Sequence, residues 1–139
     1  MSEDFEIEIP PAFEHLAMVR SVLSTALEAE PVLKEERLQD LRLAVSEATT
    51  NAIEAHQKQG SDAAVGVRIT VGDKKVTVKI SDQGGGFDPT KLKKHPPVTD
   101  PERLEYERGL GVTLMRRLTD DCTIAPTKNG TTVTLVIHR

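Results

Sequence analysis

Phe5, Ile7 and Ile9 alternate with Asp4, Glu6 and Glu8. Period-two alternation predicts a half-buried strand. Pro10 and Pro11 end it and suit the first turn of a following helix. From Phe13 to Ala29 the spacing changes. Leu16, Val19, Leu23, Ala26 and Leu27 recur at helical intervals, and Pro31 closes this first helix. A second helix is predicted from about Glu35 to Gln57, with an apolar stripe of Leu38, Leu41, Val45, Ala48 and Ala52. At 100° per residue these five fall within roughly 80° of arc. Gly60, Ser61 and Asp62 break the pattern. Two strands follow, one on Val65, Val67, Ile69 and Val71, the other on Val76, Val78 and Ile80. Gly72-Asp73 between them reads as a hairpin turn.

After Ser81 comes Asp82-Gln83-Gly84-Gly85-Gly86-Phe87. Residues 88–108 hold four of the eight prolines and show no periodicity. A loop of this length in a small domain points to a lid. A third helix is predicted over Leu110 to Leu118. A closing hairpin pairs Cys122–Thr127 with Thr131–His138 across Asn129-Gly130, a dipeptide favoured in type I′ turns. The order is β-α-α-β-β-loop-α-β-β. Strands and helices do not alternate singly, so a doubly wound parallel sheet is not expected. The pattern predicts an α+β fold: a mixed, mostly antiparallel sheet with helices on one face.

Composition narrows the function classes. A chain of 139 residues predicts one domain, 1–139. Aromatic residues are 3%, so the core is expected to be Val, Leu, Ile and Ala. The net charge of −4 argues against nucleic acid, whose binding draws on clustered basic charge. No apolar run is long enough for a membrane span, and the first residues carry no basic and apolar signal-peptide regions. The single Cys122 excludes an internal disulfide framework. A cytoplasmic protein without a membrane partner is expected. The four histidines are scattered and form no HExxH, and no serine stands in a GxSxG context. Walker A and Rossmann fingerprints are also absent.

Three short stretches could carry chemistry. Glu47 and Asn51 lie four apart on the second helix and so share one side. With Val45 at 0°, they fall at roughly 200° and 240°, nearly opposite the apolar stripe. A carboxylate beside a carboxamide suits a general base next to a Mg²⁺ ligand. The same spacing suits a solvated polar face, which Asp40 and Glu54 share. The glycines between Asp82 and Asp88 let backbone approach a ligand closely, with Asp82 as a fixed acceptor for an amino group. They also suit an ordinary turn. Gly109-Leu110-Gly111-Val112 opens a helix, where free N–H groups and the positive dipole end favour phosphate. Arg108 precedes it and could neutralise charge on a terminal phosphate. An ordinary helix start is the other reading. Lys91, Lys93, Lys94 and His95 form a basic run, but residues 88–108 hold five Lys/Arg and five Asp/Glu and are neutral overall.

The order of these stretches is more specific than any one of them. Glu47-Ala-Thr-Thr-Asn51-Ala resembles the N box of the GHKL ATPase superfamily. Asp82-Gln-Gly-Gly-Gly86-Phe87 resembles its G1 box, DxGxGF. Gly109-Leu-Gly111-Val112 resembles its G2 box, and Gly130-Thr131 its Gly-Thr element near the adenine. The resemblance runs from about residue 5 to 138 and implies the Bergerat fold, a two-layer sandwich. Within the superfamily, the short chain, Arg108-Gly-Leu-Gly-Val and Met115-Arg-Arg-Leu-Thr-Asp120 resemble bacterial anti-sigma factor serine kinases of the RsbW and SpoIIAB type.

The resemblance implies ATP and Mg²⁺ as cofactors and assigns roles. Glu47 would accept the proton of a substrate serine, and Asn51 would ligate Mg²⁺. Asp82 would hydrogen-bond the adenine amino group, with Thr131 beside it. Gly84 and Gly86 would let the chain pass close to the nucleotide, with Phe87 completing that box. Gly109, Leu110, Gly111 and Val112 would hold phosphate, Arg108 would contact the γ-phosphate, and residues 88–108 would form the lid. The implied partners are a STAS-domain anti-anti-sigma factor, a sigma factor and a second copy of the chain. Three alternatives remain: an ATP-gated binding module without catalysis, a stress-signalling kinase that binds no sigma factor, and a structural domain with coincidental motifs. The family's N box is often followed closely by His or Lys; here His56 stands five residues after Asn51.

Overall fold

The computed structural model describes residues 3–28, 32–84, 111–128 and 130–139. Strand β1 (Glu3–Ile9) leads through a 3-10 turn (Phe13–His15) into α1 (Leu16–Glu28) and then α2 (Glu35–Gln59). Strands β2 (Val65–Val71) and β3 (Lys75–Asp82) follow. Residues 111–118 are helical (α3), ahead of β4 (Asp121–Pro126) and β5 (Thr131–His138). The predicted order of strands and helices holds across the described residues, and the predicted 88–108 loop lies outside them. The first helix differs in its opening turn, which is 3-10 over Phe13–His15.

The strands form one sheet in the order β1-β2-β3-β5-β4. Every pairing in it is antiparallel, sharper than the mixed sheet expected. The hairpins β2–β3 and β4–β5 supply four strands, and β5 docks beside β3. Period-two alternation sends the Val and Ile side chains to one face. Ile7, Val67, Ile80, Val133 and Ile124 line up across all five strands by register. Phe5, Ile69, Val78, Leu135 and Cys122 form the next row. Helix α2 packs over β3 and β5, and α1 over β2. Val19, Leu23 and Leu27 of α1, and Leu41, Val45 and Ile53 of α2, complete the core. Val112 and Met115 of α3 join it. Among the described residues the fully buried hydrophobics include no aromatic ring, as the composition implied. Met115 is the one addition to the expected Val, Leu, Ile and Ala.

Both sheet edges are defended. Strand β1 carries Asp4, Glu6 and Glu8 outward and runs into Pro10; β4 ends on Pro126. Charge and proline on an edge discourage pairing with another chain. Helix α2 stops on Gly60, in the left-handed region at φ 67°. There the Gly60 N–H donates to the Gln57 carbonyl and the Ser61 N–H to the His56 carbonyl, which is a Schellman ending.

The end of α3 is tied to α2. Arg37 contacts Asp40 (2.9 Å) and Asp120 (3.3 Å), and it donates to the Leu118 carbonyl at 3.4 Å. A cation there also suits the negative end of a helix. Asp120 accepts the His138 backbone N–H at 2.7 Å. That bond, aided by Arg37 and opposed by partial burial, holds the Asp120 carboxyl below its ordinary value of 3.8. A depressed carboxylate adds stability above its unfolded pKa, and this is lost as pH falls through the folded value. The groups are about a third exposed, so the effect is modest. Asp120→Asn is expected to lower the melting temperature by about 2–4 °C near pH 7. The gap between variant and wild type should close as pH falls through the lowered Asp120 value, below 3.8, in a pH series of melting curves.

Candidate functional site

The apolar rows of the inner sheet face stop at one end. There Asp82 pairs with Thr131, and both side chains are buried. Beneath this polar end lies the second half of α2. Asn51, Ala52, Ala55 and His56 are buried there, and Glu47 is half-buried. The predicted solvated face of α2 is therefore corrected at Asn51, which is only 7% exposed. The buried arc runs from Asn51 to Ile53 and covers roughly 200° of the helix, against the 80° of the apolar stripe. It widens because α2 is flanked as well as floored. Helix α1 packs against it, and Gly111 of α3 lies against Glu47 and Asn51.

Glycine makes close approach possible. A Cβ on Gly84 would stand 2.5 Å from the backbone of Ala55 and of His56. A Cβ on Gly111 would meet Oε2 of Glu47 at 3.1 Å and Nδ2 of Asn51 at 3.7 Å. A Cβ on Gly130 would overlap the main-chain carbonyl of Asp82 and reach its Oδ1 at 2.7 Å. Gly111 thus lies against Glu47 and Asn51, and Gly130 against Asp82, each pair joining two separate sequence motifs, while Gly84 lies against α2 a turn beyond Asn51. Gly86, Phe87, Arg108, Gly109, Leu110 and the 88–108 lid segment lie outside the described residues.

The polar inventory is specific. Asp82 Oδ1 accepts the Gly84 N–H at 3.1 Å. Nδ2 of Asn51 and Oγ1 of Thr131 are buried without a hydrogen-bond partner among the described residues. A buried polar atom of this kind costs free energy unless something satisfies it. Both sit at the polar end of the sheet, where a nucleotide would place donors and acceptors. The Asn51 carboxamide also suits Mg²⁺. That ion keeps several waters and takes only one or two protein oxygens beside substrate phosphates. Among the described residues no group of three or more His, Cys, Asp or Glu side chains could hold a metal without such help.

The converging motifs agree with sequence comparison. The histidine kinase-like ATPase domain family matches residues 9–137. The chain belongs to that family. Within it, the chain is 34% identical over 135 residues to the serine-protein kinase RsbW of Bacillus pumilus (strain SAFR-032), covering 94% of this chain and 82% of that protein. It is 30% identical over 135 residues to the serine-protein kinase RsbW of Staphylococcus epidermidis, covering 94% and 84%. The same kinase of Staphylococcus aureus (strain MRSA252) is 29% identical over 138 residues, covering 96% and 86%. These matches place the chain among the RsbW-type serine-protein kinases of the histidine kinase-like ATPase family. The family fold, an α+β sandwich, is the one observed.

Of the residues named from the sequence, the structure brings Gly111 against Glu47 and Asn51 and sets Asp82 beside Gly84 and Thr131, while Val112 lies in the core. His56 was named after the N box but given no role. This side chain is fully buried, and its Nε2 accepts the Gln83 N–H at 2.8 Å. The signal was present: with Val45 at 0°, His56 falls at roughly 20°, inside the apolar stripe.

Proposed function

We propose that the protein is an ATP-dependent serine kinase and anti-sigma factor. In this reading it phosphorylates a serine on a STAS-domain anti-anti-sigma factor and sequesters a sigma factor as a homodimer in the cytoplasm. The contact of Gly111 with Glu47 and Asn51 carries the reading. It sets a phosphate-binding helix start beside a carboxylate and a carboxamide. Those are the parts that phosphoryl transfer needs, since this chemistry relies on positioning and charge stabilisation. The serine kinases to which the chain is similar support the substrate class.

The roles follow from placement. Asp82 and Thr131 form the floor that receives the adenine, with Asp82 accepting its amino group. Backbone N–H groups at Gly111 and Val112 would receive the phosphates; Arg108, outside the described residues, is assigned to the γ-phosphate by the family resemblance alone. Asn51 would hold Mg²⁺, which would supply charge neutralisation to the phosphates. Glu47 accepts the proton of the attacking serine hydroxyl. The serine oxygen bonds to the γ-phosphorus as the bond to the β-phosphate oxygen breaks, and ADP leaves. Incubation with γ-labelled ATP, Mg²⁺ and a STAS protein is expected to label a serine on that protein. Mg-ATP alone should raise the melting temperature, because a ligand of the native state stabilises it. A raised melting temperature with no labelling of any STAS partner would leave a binding module in place of a kinase.

A further inference from the structure

Gln83 follows Asp82 at the point where β3 leaves the sheet. Its N–H is not spent on a strand ladder. It crosses to the Nε2 of His56 on α2, at 2.8 Å. The next residue, Gly84, lies against the α2 backbone at Ala55 and His56, with no room for a Cβ. Its N–H returns to Asp82 Oδ1 at 3.1 Å. The carboxylate is thus oriented by a short chain of contacts: His56 to Gln83, Gln83 to Gly84 through the main chain, and Gly84 to Asp82. Gly130 closes the opposite side. An imidazole that accepts at Nε2 carries its proton on Nδ1. That Nδ1 is buried and has no partner among the described residues. The bond to Gln83 is therefore the one polar contact recorded for the ring, in a side chain that is fully buried. A plain core position would be filled more cheaply by an aliphatic residue.

We infer that His56 is a positioning residue for base recognition: its Nε2 fixes the peptide after Asp82 and so aims the Asp82 carboxylate. This rests on the nucleotide reading of the site. The feature at stake is selectivity. A correctly placed carboxylate accepts from the amino group of adenine, whereas guanine presents a carbonyl at that position and is repelled. A site built to hydrogen-bond one group discriminates strongly while its geometry holds. When the acceptor on His56 is lost, the Gln83 N–H is left unpaired, the strand exit shifts, and the carboxylate loses its aim. Phosphate contacts at Gly111 and Val112 lie elsewhere and do not depend on it.

Three variants separate the acceptor from bulk and polarity. His56→Gln can present an oxygen near the Nε2 position. His56→Asn is equally polar but too short to reach Gln83, and His56→Leu keeps bulk alone. Affinities for ATP and GTP, each with Mg²⁺, are measured by titration on the full chain, with melting curves to select folded variants. His56→Asn and His56→Leu should lose roughly ten- to hundredfold in ATP affinity. GTP affinity should change little, so the ATP preference collapses; His56→Gln should restore most of it. Should His56→Leu fail to fold, the Gln and Asn pair still decides. An ATP preference intact in His56→Asn, or lost equally in His56→Gln, overturns the inference. So does a wild-type Gln83 amide that exchanges with solvent as fast as an exposed one. If the wild type binds ATP, those results count against His56 alone; if it binds no nucleotide, the reading of the site itself falls.

Discussion

Glu47→Gln is expected to reduce serine phosphorylation by about 10²–10⁴-fold, the usual worth of a positioned general base. Two features make this the largest functional effect to expect. Glu47 is the carboxylate that stands against the start of α3, where Gly111 leaves just enough space for it. It shares one side of α2 with Asn51, so a carboxylate and a carboxamide project together. Glutamine keeps the size and polarity of the side chain but cannot take the proton. Mg-ATP should therefore still raise the melting temperature of the variant nearly as much as that of the wild type. Single-turnover label transfer to a STAS protein would read the first effect and thermal melting the second. Transfer at the wild-type rate in Glu47→Gln would remove the carboxylate from the chemistry. Loss of ATP binding in the same variant would make it a binding group.

The largest structural effect is expected at Gly130. An added methyl group on Gly130, the residue just before β5, would overlap the Asp82 carbonyl, and both partners are main chain. Neither can yield as a flexible side chain would. The register makes the constraint tight: Asp82 pairs with Thr131, and Thr131 with Pro126. Gly130→Ala should cost about 1–3 kcal/mol of stability as an overpacked site. At this chain length that is roughly 3–12 °C in melting temperature. It should also weaken ATP binding, because Asp82 and Thr131 flank the displaced segment. Denaturant unfolding and ATP titration on the same preparation would check both. A melting temperature within 1 °C of wild type, on the order of the error of such curves, would show that the hairpin can shift freely.

Much of the fold was legible because its signals are local. Alternation in Val65–Val71 and Lys75–Asp82 exposes every second residue, and the structure follows it residue by residue. The Asn129-Gly130 pair was read correctly as a hairpin but not in its detail. The Thr127 N–H donates to the Gly130 carbonyl at 2.8 Å, so Gly130 stands opposite Thr127 at the end of the turn and not at its centre. Its glycine is required by Asp82 across the sheet, a contact that no dipeptide rule contains. The site shows the same division. The motifs named Glu47, Asn51, Asp82 and Gly111 because residue type and spacing carry them. Helical geometry placed Asn51 off the apolar stripe, yet its burial depends on what lies beside α2, and that is tertiary. His56 was named without a role for the opposite reason: its stripe position was readable, but its partner is a backbone N–H, which has no sequence signature.

The position of β5 also governs when the site can exist. The strand carrying Thr131 is made last of the five, yet it docks in the interior of the sheet, between β3 and β4. Until it arrives, β3 has a bare edge and Asp82 has no neighbour across the ladder. A chain emerging from the ribosome can form the β2–β3 hairpin and both long helices. It cannot pair Asp82 with Thr131, the floor proposed for the adenine. Contacts this distant in sequence form late and slowly. Nucleotide therefore has nothing to grip during synthesis. ATP would act on the finished protein, slowing its unfolding, and would not guide its folding.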